Sequence, residues 1–146
     1  MIYYPVFFDL RGRPVLVVGA GKVALRKTRG LVEAGARVTV VAPRWEPEFE
    51  RLPVTLVKRA FGERDVEGAF LVFAATDNRE VNRAAGGAAR ARGIPANVAD
   101  ALPECDFLAP ARVRRGNVQV AISTSGENPR LAAGLRRRIE EALGPE

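Results

Sequence analysis

The sequence predicts an α/β fold, a Rossmann-like doubly wound parallel sheet with a small C-terminal β-hairpin and a final helix. Three observations support this fold class. An apolar run at residues 15–18 meets a glycine turn that opens directly into a helix, which is the order that a dinucleotide-binding unit requires. Nearly apolar strands then alternate with helices, as in parallel sheets covered on both faces. After Pro103 the pattern changes to two extended runs and one amphipathic helix.

The elements of the predicted sheet follow from where the apolar runs begin and stop. Strands are predicted at residues 15–18, 37–41, 54–57, 69–75 and 94–98, and helices at 22–34 and 79–92. The first helix stops at Gly35, since glycine readily adopts the left-handed conformation that ends helices. Its Val23, Leu31 and Val32 are expected to face inward. Residues 5–8 are expected to form a short edge segment.

The C-terminal part is predicted to be a hairpin and a helix. Runs at 107–114 and 117–123 are joined by a turn at Arg115 and Gly116. Asn128 and Pro129 are typical of a helix N-cap and first position, and this helix reaches about residue 143. One apolar stripe follows it: Leu131, Leu135, Ile139 and Leu143.

These patterns divide the chain into a nucleotide-binding unit at 1–110 and a hairpin-plus-helix segment at 111–146. A hairpin and one helix bury little core by themselves. The second segment is therefore expected to pack on another copy of the chain, as a homodimer.

Composition narrows the class of protein. The 146 residues are 47% hydrophobic and 27% charged, typical of a soluble globular protein, and no apolar run is long enough to cross a membrane. Histidine, the commonest metal ligand and general base, is absent, so no metal site is predicted. A single cysteine, Cys105, and the lack of a signal-peptide pattern favour the cytoplasm. The net charge of +6 fits a solvated arginine-rich surface or a small polyanionic ligand, whereas nucleic acid is the weakest interpretation.

The sequence Gly19-x-Gly21-x-x-Ala24 fits the pattern G-x-G-x-x-G/A. Gly19 permits the tight turn, Gly21 lets the backbone approach a pyrophosphate, and Ala24 lets the helix pack on the strand. The helix N-terminus supplies amides and positive potential. A merely structural turn is the competing interpretation, and the strand–turn–helix context favours dinucleotide binding over it.

The loop after the second strand lacks the acidic residue that usually holds a ribose. Pro43 and Arg44 stand there instead. Arg44 fits an adenine ring or a 2′-phosphate, and an ordinary surface arginine is the alternative. The residues alone leave NAD and NADP open and favour NADP slightly.

The fourth and fifth predicted strands end in further candidates. Thr76 is placed to bond a nucleotide, while Asp77 or Asn78 is placed to cap the next helix. Asn97 and Asp100 follow the fifth strand at the same sheet edge. Asp100 is the best-placed carboxylate for proton abstraction, with a loop-capping aspartate as the alternative.

Taken in order, these segments resemble the precorrin-2 dehydrogenase family, which comprises the N-terminal modules of siroheme synthases and their stand-alone relatives. The resemblance covers essentially the whole chain. Its motifs are Gly19-Ala20-Gly21-Lys22-Val23-Ala24-Leu25-Arg26-Lys27, Ala75-Thr76-Asp77, Asn97-Val98-Ala99-Asp100, Phe107-x-x-Pro110 and Ser123-Thr124-Ser125-Gly126-x-Asn128-Pro129.

The resemblance implies NAD-dependent oxidation of precorrin-2 to sirohydrochlorin, in siroheme or cobalamin biosynthesis. It implies that Asp100 is the general base. It also implies NAD rather than NADP, because the family lacks the ribose acid and still uses NAD. The implied NAD contacts are Gly19, Gly21, Lys22, Val23, Ala24, Pro43, Arg44, Thr76, Asp77 and Asn97.

The implied substrate is an octacarboxylate tetrapyrrole, which a basic protein suits. Candidate substrate contacts are Ser123, Thr124, Arg112, Arg114, Arg115 and Arg130, and solvated surface charge is the alternative for each arginine.

Two other functions remain open at this point. The first is a bifunctional dehydrogenase–ferrochelatase. We expect no iron insertion, because family members commonly continue into a further helical domain beyond the position of Glu146. The second is a non-catalytic, nucleotide-sensing regulatory module, although such modules usually keep the acid that this chain lacks.

Overall fold

The computed structural model describes residues 1–145 and confirms the doubly wound fold class. The parallel sheet has the strand order β3-β2-β1-β4-β5. Its strands are β1 (Pro14–Val18), β2 (Arg37–Ala42), β3 (Thr55–Lys58), β4 (Leu71–Ala74) and β5 (Ala96–Val98). Two α-helices, α1 (Lys22–Glu33) and α2 (Arg79–Ala91), connect β1 to β2 and β4 to β5. Short 3-10 turns lie at Pro47–Arg51, Glu63–Val66 and Leu102–Glu104.

The sheet is buried on both faces because its strands are apolar at successive positions. In β1, Val15 and Val17 belong to the core cluster that includes α1 residues. Leu16 and Val18 belong to a second cluster that includes α2 residues. Burial against helices on opposite faces makes the valine-rich strands a stable parallel sheet.

The carboxyl ends of the strands meet where the strand order reverses. Val18, the last residue of β1, pairs with Val41 on one side and Ala74 on the other. Because the connections from β1 and β4 leave in opposite directions, a crevice opens between them at this edge. This topology positions the candidate site.

A second compact unit contains Met1–Val6 together with the chain from Leu108 onward. Strands β6 (Ala111–Arg115) and β7 (Val118–Ile122) form an antiparallel hairpin, followed by α3 (Pro129–Leu143). As predicted, Asn128 caps α3, since its side chain accepts a hydrogen bond from the Leu131 amide at 2.9 Å. Within the described chain no α3 residue is buried, and Val113 is the hairpin's one buried residue.

Two local expectations were wrong. Val23 lies in the first turn of α1, beyond the sheet edge, and is 46% exposed rather than facing inward. Residues 5–8 form no strand; Phe8 instead packs its ring against Phe70 at 5.4 Å.

Candidate functional site at the carboxyl edge of the sheet

Gly19 makes the turn after β1 possible. Its φ of +110° lies in a region that side-chain-bearing residues avoid. A Cβ at this position would lie 2.4 Å from the Ala75 carbonyl oxygen. The turn therefore packs closely against the end of β4. The Gly19 amide donates a hydrogen bond to the Val41 carbonyl on β2 at 3.0 Å.

At Gly21, unlike Gly19, neither the backbone conformation nor the packing requires glycine. Its backbone is extended, with φ −86° and ψ −166°, which any residue adopts. A Cβ here would meet no heavy atom within 4 Å. The protein's own packing therefore does not require glycine at this position, whereas close approach of an external group to the backbone does.

The start of α1 is arranged to receive an anion. Gly21 is the N-cap, has no side-chain cap and is followed by no acidic residue in the first turn. The first helical bond runs from the Leu25 amide to the Gly21 carbonyl, so the amides of Lys22, Val23 and Ala24 precede the helical ladder. Their partial positive charge and the Lys22 ammonium favour a phosphate, while fully buried Ala24 lets α1 pack closely on the sheet.

The loop after β2 lies beside this turn. The Glu46 amide donates to the Ala20 carbonyl at 3.0 Å, which ties the loop to the glycine turn. Pro43 and Arg44 are exposed. The two residues that replace the usual ribose acid therefore belong to a loop fixed against the glycine turn.

The loop after β4 is held by an internal network. The Thr76 hydroxyl lies 2.6 Å from Asn82 Oδ1, which also accepts the Thr76 amide at 2.9 Å. The Asn78 amide donates to the Thr76 hydroxyl at 3.1 Å, and Asn78 Oδ1 caps α2 by accepting from the Glu80 amide at 3.0 Å. Asp77 is exposed and does not cap the helix.

Asn97 is buried on the face of the sheet that α1 covers. Its Nδ2 donates to the Phe107 carbonyl at 3.0 Å, and its Oδ1 lies 3.5 Å from Lys27 Nζ. The Lys27 ammonium also lies 5.9 Å from the ring centroid of Phe73, the β4 neighbour of Asn97. Because the Asn97 amide has protein partners on both sides, it fixes the end of β5.

Asp100 stands two residues beyond β5, exposed at the same edge. Its φ is +58°, the left-handed region that few residues other than glycine adopt. Residues held there cluster at functional sites. Among residues 1–145, no hydrogen bond or ion pair engages its carboxylate, while the flanking amides of Ala99 and Ala101 bond to the Ala74 and Val98 carbonyls at 2.9 and 3.3 Å.

The substrate candidates lie in the second unit. The Thr124 hydroxyl donates to the Asn128 carbonyl at 2.9 Å and accepts from its amide at 3.1 Å. Ser123 Oγ accepts from the Ser125 amide at 3.1 Å. These bonds stabilise the loop before α3. Arginines 112, 114 and 130 are exposed, whereas Arg115 Nε donates to the Gly144 carbonyl at 2.8 Å and so joins the hairpin to the end of α3.

Two residues that hold these loops were not singled out from the sequence: Asn82 and Lys27. Asn82 had a visible signal, a polar residue in an alanine-rich helix one turn after its cap. Lys27 meets Asn97, 70 positions away in the sequence, a contact that no local pattern encodes.

The described part of the chain, residues 1–145, contains no cluster of acidic, cysteine or histidine side chains that would hold a metal ion. The same residues include no helix with the length and apolarity to span a bilayer. A groove lined in part by Pro14, Arg37 and Gly68 lies at the amino ends of the strands, the opposite edge from the glycine turn.

Two known protein families match successive parts of the chain. Residues 6–111 match the family described as "Putative NAD(P)-binding", and residues 115–142 match "Sirohaem biosynthesis protein central". The chain is 46% identical over 98% of its length to a siroheme synthase of Methylococcus capsulatus and 44% identical over 96% to one of Ectopseudomonas mendocina. It spans only 31% of the length of each.

A solved structure agrees with these matches. SirC, a precorrin-2 dehydrogenase, superposes with a TM-score of 0.77 at 33% sequence identity, covering 97% of this chain and 69% of that one.

Proposed function

Because this chain belongs to the NAD(P)-binding family of siroheme synthases and precorrin-2 dehydrogenase, we propose that it oxidises precorrin-2 to sirohydrochlorin with NAD. One observation carries the proposal. An open phosphate cradle at Gly21 and a carboxylate without protein partners, Asp100, both follow strands that end at the same sheet edge. A nucleotide-binding turn alone would need only the cradle.

The residues at the glycine turn fit a dinucleotide. Gly19 and Gly21 shape the turn, and the amides of Lys22, Val23 and Ala24 receive the pyrophosphate. The exposed Val23 side chain adds an apolar surface beside them, and Pro43 and Arg44 border the adenosine end. Bound NAD supplies the hydride acceptor for the oxidation. Thr76, Asp77 and Asn97 shape the nicotinamide end of the site, with Thr76 and Asn97 holding its loops.

Asp100 takes up the proton that precorrin-2 loses as its conjugation extends. A general base must be within reach of the substrate and free of competing partners. Asp100 is exposed and makes no bond within the described chain, so its oxygens are available. Its left-handed backbone fixes the direction in which the side chain leaves the loop.

Positive charge assists substrate binding. The net charge of +6 raises the local concentration of a polycarboxylate. Arg112, Arg114 and Arg130 are exposed donors for its carboxylates, and Ser123 and Thr124 hold the loop beside Arg130 in shape.

We also propose a homodimer formed through the second unit. The two ends of the predicted apolar stripe of α3 are exposed within the described chain, Leu131 at 50% and Leu143 at 38%, whereas Leu135 and Ile139 between them are half-buried. Val118 on β7 is exposed at 49%. A second copy would bury these side chains. Leu131→Lys should shift the mass measured by light scattering from dimer to monomer, whereas Arg137→Ala on the same helix should not. A wild-type monomer at micromolar concentration would contradict the dimer.

The siroheme synthase relatives raise the question of iron insertion. Iron insertion is therefore the alternative activity to test. Siroheme formed from supplied sirohydrochlorin and ferrous iron faster than the spontaneous rate would show a bifunctional enzyme, whereas formation at the spontaneous rate would leave the dehydrogenase activity alone. The cytoplasm is the proposed location, since NAD and a free cysteine fit a reducing compartment.

The function is tested by turnover of the Asp100→Asn variant. Wild-type protein should convert precorrin-2 with NAD⁺ under anaerobic conditions, and Asp100→Asn should be slower by about 100-fold or more, the typical effect of a general base. Asp9→Asn is the matched control, because Asp9 is an exposed aspartate that precedes β1 at the opposite end of the strand. Equal rates for Asp100→Asn and wild type would refute the proposed role of Asp100 as the general base. NAD binding without wild-type turnover would instead favour a sensing module.

A further inference from the structure

We propose that Glu104 is a positioning residue, which holds Asp100 in its left-handed conformation by clamping the Asp100 loop (residues 99–106) to α2. The inference rests on the proposed role of Asp100.

The Asp100 loop leaves β5 and returns to the same strand. The Ala96 amide donates to Asp106 Oδ2 at 2.9 Å, and the Asp106 amide donates to the Ala96 carbonyl at 2.8 Å. Between these points the Cys105 thiol lies 3.2 Å from both the amide and the carbonyl of Val98. The loop is thereby closed at its base and anchored at Ala101, which is buried in the core cluster that includes α2 residues. Leu102 and Pro103 are exposed, so Glu104 is the next point at which the loop meets α2.

Glu104 provides that attachment. Its carbonyl accepts a hydrogen bond from Arg90 Nη1 at 2.5 Å. Its carboxylate forms an ion pair with the Arg79 guanidinium, and its other oxygen lies 3.9 Å from Arg83 Nε. Two arginines one turn apart at the start of α2 therefore face the Glu104 carboxylate, and a third, near the end of the helix, holds its backbone carbonyl.

The Arg79–Glu104 pair is placed to matter for the site. Arg79 is the first residue of α2 and follows the cap Asn78, in the loop organised by Thr76 and Asn82. The pair thus joins the loop after β4 to the loop after β5, the two loops that flank the proposed nicotinamide end. Glu104 Oε2, the oxygen that pairs with Arg79, is buried, so its charge depends on that arginine.

The backbone conformation at Asp100 is one that a clamp would help to hold. Aspartate adopts positive φ more readily than most residues, but the left-handed region still costs energy relative to negative φ, so φ +58° gains from support by the surroundings. Backbone bonds hold the loop internally: the Ala101 amide donates to the Val98 carbonyl at 3.3 Å and the Glu104 amide donates to the Ala101 carbonyl at 2.9 Å. The Glu104 carboxylate adds the attachment to α2. Without the clamp, Asp100 can relax to negative φ, which redirects its carboxylate.

The test compares Glu104→Gln with Glu67→Gln. Glu67 is a matched control, because it also pairs with an arginine next to α2, the C-cap residue Arg92, at 3.8 Å but at the opposite end of the helix. We expect Glu104→Gln to lower kcat for precorrin-2 oxidation about tenfold or more, since small misplacements of catalytic groups are costly. The KM for NAD should stay within about twofold, and Glu67→Gln should match wild type.

Two further readouts separate positioning from general destabilisation. Amide hydrogen exchange at residues 99–106 should be at least about tenfold faster in Glu104→Gln, with exchange in β1 unchanged. The charge-swapped pair Arg79→Glu with Glu104→Arg should recover part of the lost kcat. Unchanged exchange, or faster exchange with wild-type kcat, would overturn the role of Glu104 while leaving the proposed function intact. An inactive wild-type enzyme would overturn the proposed function itself, and the role of Glu104 with it.

Discussion

Replacing Gly21 with alanine tests whether glycine is needed at this position for ligand binding rather than for folding. At Gly21 the backbone is extended and a Cβ meets nothing within 4 Å. The fold should therefore accept alanine, at the cost of about 0.5–1 kcal/mol for a poorer N-cap residue. The added methyl occupies the space through which we propose that a pyrophosphate approaches the backbone.

The expected loss of affinity follows from that geometry. A Cβ extends about 1.5 Å from the Cα, so a ligand in contact with Gly21 must move by roughly 1 Å. A displacement of this size breaks a hydrogen bond whose normal length is about 2.9 Å. One charge-assisted bond contributes about 1.5–3 kcal/mol, so the Kd for NAD should rise about 10- to 100-fold.

Calorimetric titration of NAD and thermal unfolding together check this prediction. Gly87→Ala is the control, because Gly87 lies in α2 and a Cβ there also meets nothing within 4 Å. A folded Gly21→Ala protein with wild-type NAD affinity would show that the reasoning about the cradle is wrong.

Other substitutions test the framework of the site. Gly19→Ala should lower the free energy of unfolding by about 2–4 kcal/mol, since its Cβ would overlap the Ala75 carbonyl at a φ of +110°; a melting temperature equal to wild type would contradict this. Asn78→Ala should cost about 1 kcal/mol by uncapping α2, measured by urea unfolding. The Arg59 hydrogen bond lowers the pKa of the Asp65 carboxyl, so its stabilisation is present above about pH 4 and lost as the pH falls through the lowered pKa. Asp65→Asn should therefore destabilise the protein more at pH 7 than below pH 4, and a difference that does not change with pH would refute the contribution of the ion pair.

Local chemistry was enough to predict most of the elements. Valine-rich runs between polar turns located the strands of the sheet, because both faces of a parallel sheet are apolar. Gly35, which adopts φ +83°, ends α1 as expected. Asn128 and Pro129 start α3 at the predicted residue, because the preference for a capping side chain and a first-turn proline depends only on the local backbone conformation.

Features that depend on tertiary contacts could not be predicted. Val23 has the spacing of an inward residue, but it lies beyond the end of the sheet, where no layer covers it. The sequence favoured Asp77 and Asn78 equally as the cap of α2. The hydrogen bond from the Asn78 amide to the Thr76 hydroxyl, which the sequence does not reveal, accompanies the choice of Asn78. The Arg79–Glu104 pair joins residues 25 positions apart in sequence, so it required the folded arrangement of α2 and the Asp100 loop.

The proposed function requires that NAD accepts the hydride from precorrin-2 at this carboxyl edge of the sheet. The most direct test is the stoichiometry of a single anaerobic reaction of the purified protein with precorrin-2 and NAD⁺. We predict that NADH and sirohydrochlorin appear in equal amounts and at the same rate. A folded protein that binds NAD but forms neither product above the rate without protein would contradict the claim.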